Sequence, residues 1–303
     1  MKILIVGAGG VGGYFGAQLL RSGADVTFLL RGKRYAVLKE SGLTVITPDE
    51  KFIVHPAIAL SQELKPEYDL IILSPKAYDL DSSLDAIKGA SSKGLLLPFL
   101  NGMSHIQKLD ALFGSDRVMG GLANIVATIT PNGEVQRITD RHILTIGHRS
   151  SAQEVVAKEF FRLCKASKFE VIYSENIEQS LWNKWTFLAT LAGLTTLFEA
   201  SIGEILDANY GVEIVKGMYD EACAIAAENQ HEIPLQARQQ ALALLTETDS
   251  PLTASMMRDL KQGFRTEHDH ILGDLLQVGH SKIIRPYLAS AYANMLIRAK
   301  RLN

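Results

Sequence analysis

A glycine-rich turn near the N-terminus constrains the fold more than any other segment. In the 303-residue chain the short apolar strand pattern KILIVG (2–7) runs into the turn GAGGVG (7–12), and a helical pattern then continues to residue 23. The first glycine of this spacing allows a tight turn, the second lets another group approach the backbone, and the third permits close packing of helix on strand. A strand, a turn and a helix are therefore predicted over residues 2–23.

Strand and helix patterns alternate through the first half of the chain. DVTFLL (25–30), YDLIILS (68–74) and GLLLPFL (94–100) are continuous apolar runs bounded by turn residues or helical patterns. Runs that are apolar on both faces are typical of parallel strands covered by helices. VATITPNGEVQRI (126–138) has the alternation and the Pro-Asn-Gly turn of an antiparallel hairpin, which we place at the far edge of the same sheet.

The pattern becomes helical from about residue 152. AQEVVAKEFFRLCKAS (152–167) is amphipathic, a brief strand FEVIYS (169–174) follows, and helical periodicity dominates from residue 177 onward. The prediction is an α/β Rossmann-type N-terminal domain with a mostly parallel sheet (1–168), followed by an all-helical C-terminal domain (169–303).

Composition excludes several classes of function. Lys and Arg (31) nearly balance Asp and Glu (33), giving a net charge of −2, so no basic field attracts nucleic acid or a membrane surface. Apolar runs are too short for a signal-peptide core or a membrane span, so we expect a cytoplasmic protein. Cys164 and Cys223 lack paired spacing and are interpreted as core thiols, with no disulfide framework and no metal site.

The glycine-rich turn and the end of the second strand together indicate a dinucleotide site. The turn supplies Gly7, Gly9, Gly10 and Gly12. Backbone N–H groups at the start of the following helix attract a pyrophosphate. Where an acidic residue would hold a ribose 2′-hydroxyl, the chain has Arg31, with Lys33 and Arg34 just beyond. Because a guanidinium can fork onto a 2′-phosphate, the sequence favours NADP(H); the alternative is a solvated basic loop.

Lys184 interrupts an apolar face. In IEQSLWNKWTFLATLAG (177–193), Ile177, Leu181, Leu188 and Leu191 share its helical stripe. An ammonium in that place either reaches water along its apolar stem or serves a chemical purpose.

Four further polar residues follow predicted strands or lie on helices of the second half. They are Lys76 in SPKAYD, Asn101 in FLNGMSH, and Ser255 and Glu267 in the segment ASMMRDLKQGFRTEHDHI. Taken singly, each has a structural explanation as a surface charge, a turn former, a helix start or a solvated helix face.

The order and spacing of all these features resemble the ketopantoate reductase family (2-dehydropantoate 2-reductases). The features are the glycine-rich turn, the arginine after the second strand, KA after YDLIILS, NGM after GLLLPFL, a tryptophan two residues before a lysine, and TE-D. The resemblance runs from Met1 to about Asp274, and the remaining segment matches the family's closing helix in outline.

The resemblance implies a role for each matching residue. The residues that match NADPH-holding positions are Gly7, Gly9, Gly10, Gly12, Arg31 and Lys76. Asn101 matches an asparagine near the nicotinamide and the catalytic lysine, and Lys184 matches that lysine. Ser255 and Glu267 match residues that bind the substrate, and we count Glu267 and Asn101 with Lys184 among the catalytic group.

The implied reaction is the reduction of a 2-keto acid by NADPH, ketopantoate to pantoate in pantothenate and coenzyme A biosynthesis. Negative charge develops on the carbonyl oxygen, so an ammonium that polarises this oxygen and then donates a proton lowers the barrier. Burial on an apolar stripe is expected to lower the pKa of Lys184, and Glu267 is expected to oppose too large a shift.

The chain departs from the family pattern beside the lysine. Leu188 and Ala192 stand where the family usually has substrate-holding asparagines, and Gly193 replaces a proline. Phe264 replaces an arginine, and Arg265 follows it one position later. A pocket without those amides discriminates differently, so a less polar 2-keto acid is an alternative substrate.

Three other hypotheses stay open at this point. The chain is also compatible with a relative in the 3-hydroxyacid dehydrogenase and imine reductase group, against which NGM and TE-D count. It is compatible with a non-catalytic NADPH-sensing module, against which Lys184, Asn101 and Glu267 count. An apolar face on the late helices suggests a homodimer.

Overall fold

The computed structural model describes residues 1–280 and 283–302, and the chain divides into two compact units. The first unit comprises Met1–Leu100 and His105–Glu178, and the second comprises Asn101–Ser104 and the chain from Gln179 onward. The predicted boundary between residues 168 and 169 differs from this division, because Glu170–Tyr173 forms a strand that pairs with Ile143–Ile146 in the first unit.

Residues 1–178, all of which are described, contain the strands of the fold. In chain order the strands are β1 (Lys2–Val6), β2 (Asp25–Leu29), β3 (Leu43–Ile46), β4 (Lys51–Val54), β5 (Ala57–Ala59), β6 (Leu70–Leu73), β7 (Leu95–Pro98), β8 (Gly120–Ile129), β9 (Val135–Gly147) and β10 (Glu170–Tyr173). The helices of this part are α1 (Gly10–Arg21), α2 (Gly32–Ser41), α3 (Leu80–Ala86), α4 (Ser104–Phe113) and α5 (Glu154–Lys165).

A parallel sheet in the order β5-β2-β1-β6-β7 forms the centre of the first unit. Ile3 of β1 lies opposite Val26 of β2 on one side and Leu70 of β6 on the other. The four residues of β6 and the last four of β1 are buried, because helices cover both faces of the sheet. The predicted α/β class with a mostly parallel sheet is confirmed.

The predicted hairpin forms, but its placement in the parallel sheet is wrong. β8 and β9 pair in antiparallel fashion around the turn at Pro131–Gly133. β9 then pairs with β10 on one side and β3 on the other, so these strands build a second sheet in the order β10-β9-β3-β4. β9 is 13 residues long, which gives it length enough to pair with several partners.

The second unit is mostly helical, as predicted. Its described helices are α6 (Ile177–Phe198), which begins at the end of the first unit, α7 (Ile202–Leu206), α8 (Gly211–Glu228), α9 (Leu235–Leu245), α10 (Ser255–Lys261), α11 (Asp274–Val278) and α12 (Pro286–Leu302). A π-helical turn, Asp269–Gly273, leads directly into α11.

Helix α6 is the buried centre of the second unit. Its four threonines have no exposed surface, and they donate their hydroxyl protons to carbonyls three or four residues back in the same helix. A helix that satisfies its polar side chains internally can be surrounded by protein on every side. The predicted packing role of Trp182 and Trp185 is confirmed, since both are buried and in ring contact.

Cys164 and Cys223 are buried free thiols, as predicted, and burial raises the pKa of each. Among the described helices, none combines the length and the apolar character needed to cross a bilayer. Leu296 and Ile297 leave part of α12 apolar and exposed, and homodimer formation through such a face stays a prediction.

The packing of α1 on the sheet yields a stability test at Gly16. A Cβ added there would lie 2.4 Å from Cζ of Phe28 and 2.6 Å from Cδ1 of Ile5. We expect Gly16→Ala to lower the free energy of unfolding by about 1–3 kcal/mol through overpacking. This loss outweighs the roughly 0.5–1 kcal/mol that alanine gains over glycine within a helix. Urea unfolding followed by circular dichroism measures the change.

The double variant Gly16→Ala/Phe28→Leu is the matched control for overpacking. It removes the aromatic carbon that the new methyl group meets, so part of the lost stability should return relative to Phe28→Leu alone. Equal losses from Gly16→Ala in both backgrounds would contradict the packing explanation.

Candidate active site

The glycine-rich turn has the geometry that its spacing predicts. Gly7 has φ +89°, a conformation that only glycine adopts without strain. A Cβ at Gly12 would lie 2.1 Å from the Ser74 hydroxyl oxygen and 2.9 Å from the Gly7 carbonyl oxygen, and a Cβ at Gly10 would lie 2.7 Å from the Ala127 carbonyl oxygen. Both positions are therefore closed to larger residues.

Gly9 differs from Gly10 and Gly12 because no atom lies within 4 Å of its hypothetical Cβ. It is the residue immediately before α1, whose first N–H groups lack partners within the helix. Open space over bare backbone at a helix N-terminus is what a pyrophosphate requires. The residues present therefore fit the phosphates of a dinucleotide.

Arg31 lies after β2, the position at which the sequence predicts the cofactor-selecting residue. It is exposed, and its guanidinium donates to the hydroxyl oxygen of Ser82 at 3.0 Å and to the Ser82 carbonyl. These contacts hold the guanidinium beside α3, a contribution of Ser82 that the sequence analysis missed.

Arg34 has a structural role instead of adding to the basic patch that the sequence suggested. It donates to the carbonyl oxygen of Ala8 at 2.9 Å and to that of Gly133. Its side chain thereby ties the glycine-rich turn to the tip of the β8–β9 hairpin. Lys33 remains exposed beside Arg31.

Lys76 follows β6 and precedes a short 3₁₀ turn, Ala77–Asp79. Its side chain is partly buried. Because β1 and β6 are neighbouring parallel strands, Gly7 and Lys76 both follow the carboxyl edge of the sheet, where ligands of such sheets bind.

Lys184 lies on α6 within the second unit. The side chain retains some accessible surface, yet enough protein surrounds the ammonium that burial lowers its pKa to about 8, an effect that the negative charge of Glu267 partly opposes. Glu267 itself is only 7% exposed. The opposing effects of burial and Glu267 agree with the expectation from sequence, and they leave an ammonium that can give up its proton near neutral pH.

Two hydrogen bonds connect α6 with the segments that carry the other candidate residues. The Trp185 indole N–H donates to the Ile271 carbonyl oxygen at 3.0 Å, within the π-helical turn that follows Glu267. The Ala254 backbone N–H donates to the Thr195 hydroxyl oxygen at 3.3 Å, directly before Ser255. Ser255 is the first residue of α10 and is partly buried.

Asn101 belongs to the second unit although the strand before it, β7, belongs to the first. The structure therefore brings Asn101 into the same compact unit as Lys184, Ser255 and Glu267. The contacts that hold its segment come from Ser104, His270 and Asp274, which the sequence analysis missed. A serine and a histidine 166 residues apart give no local pattern by which they could have been paired.

The positions that depart from the family pattern lie either on α6 or in the exposed segment before Glu267. Leu188 is partly buried, whereas Ala192 has no exposed surface. A Cβ at Gly193 would lie 2.8 Å from the Met218 sulfur, so α6 and α8 approach closely there. Phe264 is 58% exposed, and Arg265 after it is exposed as well.

No group of three or more side chains suited to hold a metal ion occurs within the described residues. The candidate side chains of the second unit are Lys184, Glu267, Asn101 and Ser255.

Comparison with known proteins identifies the family. The model described as "Ketopantoate reductase PanE/ApbA" matches residues 3–151, and the model of its C-terminal region matches residues 176–298. The chain belongs to the ketopantoate reductase family. It is an oxidoreductase of the 2-dehydropantoate 2-reductase type, and the family resemblance seen in the sequence is confirmed.

Relatives cover nearly the whole chain. The chain is 32% identical over 297 residues to the "uncharacterized oxidoreductase YkpB" of Bacillus subtilis (strain 168), covering 97% of this chain and 98% of the relative. It is 28% identical over 277 residues to the 2-dehydropantoate 2-reductase of Pyrococcus horikoshii, covering 91% and 90%.

Solved structures share the fold over the full length. D-mandelate dehydrogenase in a ternary complex with NADH and anilino(oxo)acetate matches with a TM-score of 0.88 at 25% identity, covering 100% of this chain and 99% of that one. A PanE/ApbA family ketopantoate reductase from Ralstonia eutropha JMP134 also matches with a TM-score of 0.88, at 22% identity and 100% of both chains.

The influence of Glu267 on Lys184 leads to a prediction. Glu267→Gln removes the charge that holds the Lys184 pKa up, so this pKa should fall further below about 8. Titration of the Lys184 ¹³Cε resonance by NMR measures the shift, and Lys184→Ala assigns the resonance. Glu199→Gln, which removes a carboxylate just after α6 that pairs with Arg298, is the control and should leave the Lys184 titration unchanged. An unchanged pKa in Glu267→Gln would contradict the predicted interaction.

Proposed function

We propose that this protein reduces a 2-keto acid to a 2-hydroxy acid with a nicotinamide dinucleotide, with Lys184 as the proton donor. The observation that carries the proposal is the position of Lys184 on α6, where surrounding protein lowers its pKa to about 8 against the opposing charge of Glu267. Membership of the ketopantoate reductase family and the open glycine turn at Gly9 support the same reaction.

Residues of the first unit bind the dinucleotide in this proposal. Gly7, Gly9, Gly10 and Gly12 accommodate the pyrophosphate, and Lys76 adds a positive charge at the same edge of the sheet. Arg31, held by Ser82, stands after β2 where an acidic residue would hold a ribose 2′-hydroxyl, and its guanidinium suits a 2′-phosphate, so NADPH is the proposed cofactor. When bound, the nicotinamide supplies the hydride.

Residues of the second unit donate the proton and bind the substrate. Lys184 Nζ polarises the substrate carbonyl and then donates its proton to the oxygen on which negative charge develops. The charge of Glu267 keeps a useful fraction of Lys184 protonated at working pH. The Ser255 hydroxyl and Glu267 bind the carboxylate and hydroxyl side of the substrate, and Asn101 serves as a further hydrogen-bonding group.

Ketopantoate is the first candidate substrate, in which case the product is pantoate for pantothenate and coenzyme A synthesis in the cytoplasm. The relative from Pyrococcus horikoshii is named a 2-dehydropantoate 2-reductase, which supports this assignment at 28% identity.

A 2-keto acid with an apolar side chain is the second candidate, and Leu188 favours it. Leu188 lies one helical turn after Lys184, on the same face of α6, and replaces an amide that would hydrogen-bond a polar substrate. The D-mandelate dehydrogenase structure holds anilino(oxo)acetate, an oxo acid that carries an aromatic group.

NADPH oxidation at 340 nm with a panel of 2-keto acids tests the proposal. We expect Lys184→Ala to lower kcat by about 10²–10⁴-fold, the usual contribution of a general acid. The initial rate of the native enzyme should fall as pH rises through about 8, because the ammonium form of Lys184 is lost there. Lys168→Ala, at an exposed position, is the control and should retain full activity.

Each outcome of this panel has a distinct meaning. Turnover of ketopantoate supports the first candidate, and turnover only of apolar keto acids supports the second. Bound NADPH without any turnover would overturn the proposed reaction and favour a cofactor-sensing protein.

The substrate assignment makes its own prediction at Leu188. If apolar side chains are preferred, Leu188→Asn should raise the ratio of kcat/KM for ketopantoate to kcat/KM for an apolar keto acid by at least about tenfold. Leu197→Asn makes the same chemical change on the opposite face of α6, at another partly buried position, and should leave the ratio unchanged. Equal ratios in both variants would remove Leu188 from the substrate site.

A further inference from the structure

A compact polar network lies behind the segment that carries Asn101. The Ser104 hydroxyl oxygen is 2.8 Å from His270 Nδ1, and the same hydroxyl donates to Oδ2 of Asp274. His270 Nδ1 is also 2.8 Å from that Asp274 oxygen. The His270 side chain is 12% exposed and that of Asp274 is 25% exposed.

One arrangement of protons satisfies the hydrogen bonds among Ser104, His270 and Asp274. A carboxylate oxygen only accepts, so His270 Nδ1 carries a proton and donates it to Asp274. The Ser104 hydroxyl gives its proton to the same carboxylate, and its lone pair faces the Nδ1–H group. Hydrogen bonds to a charged acceptor of low exposure are the strong class, so this network resists opening.

Backbone contacts join the same segments. Gly102 has φ +75°, and a Cβ there would lie 2.7 Å from the His270 carbonyl oxygen and 3.1 Å from His270 Cδ2. Residue 102 therefore packs directly on the backbone and ring of His270, an approach that a side chain at 102 would block.

His270 and Ile271 lie in the π-helical turn that follows Glu267. The extra residue of this turn shifts the hydrogen-bond register, so that the Asp274 N–H donates to the Asp269 carbonyl. The Ile271 carbonyl receives the indole N–H of Trp185, the residue after Lys184. One turn of chain thus contacts the neighbour of Lys184 and the segment of Asn101, and Glu267 lies two residues before it.

We propose that His270 is a positioning residue: together with Asp274 it holds residues 101–104 on the π-helical turn and so fixes where Asn101 presents its amide. This inference rests on the proposed function, in which Asn101 acts beside Lys184. His270 acts through Asn101, and its loss reaches the reaction only by that route.

A double-mutant cycle tests the route. We expect His270→Leu to lower kcat for the keto acid by about tenfold or more in the native background, and by less than about twofold in an Asn101→Ala background. His270→Asn should recover most of the activity, because its amide nitrogen stands where Nδ1 stands and can donate to Asp274. Equal losses in both backgrounds, or no recovery with His270→Asn, would overturn the proposal.

Hydrogen exchange of the free protein gives a readout that needs no turnover. Amides of residues 102–104 should exchange about tenfold faster or more in His270→Leu and in Ser104→Ala, since each variant removes a hydrogen bond to a charged group. The control His268→Leu loses another buried histidine, one that bonds to Thr266, and should leave these rates unchanged.

The two readouts separate the inference from the proposed function. Unchanged exchange at residues 102–104 in His270→Leu would overturn the positioning role even if the keto acid is reduced. Faster exchange in a protein that reduces no keto acid would retain the role of His270 in holding the segment and would instead contradict the proposed reaction.

Discussion

The partly enclosed ammonium of Lys184 is the constraint on which the second unit depends. A charge removed from water is costly unless a partner compensates it or the group gives up its proton. Both responses are present here: Glu267 lies near enough to oppose the effect of burial, and the pKa of Lys184 still falls to about 8. The chain around this pair therefore has to hold a nearly buried carboxylate in place, which the π-helical turn after Glu267 does with the help of Trp185.

In the first unit, close packing against the backbone constrains the glycine-rich turn. Gly10 and Gly12 leave no room for a Cβ, and Arg34 spans from Ala8 to Gly133. These contacts tie the turn to neighbouring backbone, while no atom lies within 4 Å of the Cβ position of Gly9. A phosphate site made of backbone N–H groups needs such contacts, because a flexible loop would lose conformational entropy on binding.

Much of the fold could be predicted because its signals are local. Apolar runs such as LIIL in β6 indicate strands covered on both faces, and the Pro-Asn-Gly turn indicates the β8–β9 hairpin. The second sheet could not be predicted, because the choice of partners for β9 depends on residues far apart in sequence, such as Val45 opposite Val135. Sequence patterns specify the faces of a strand, while strand neighbours are set by three-dimensional packing.

The sequence by itself determined the glycine turn, the basic residue after β2 and the presence of a lysine on an apolar helix, because spacing and residue chemistry are written along the chain. Only the tertiary structure decided that Arg34 holds backbone carbonyls, and that Ser104, His270 and Asp274 form one network beside Asn101. It also decided that Ala192 is buried while Leu188 is partly exposed. The physical reason is that hydrogen bonds and burial depend on distances between residues remote in sequence, which no local pattern records.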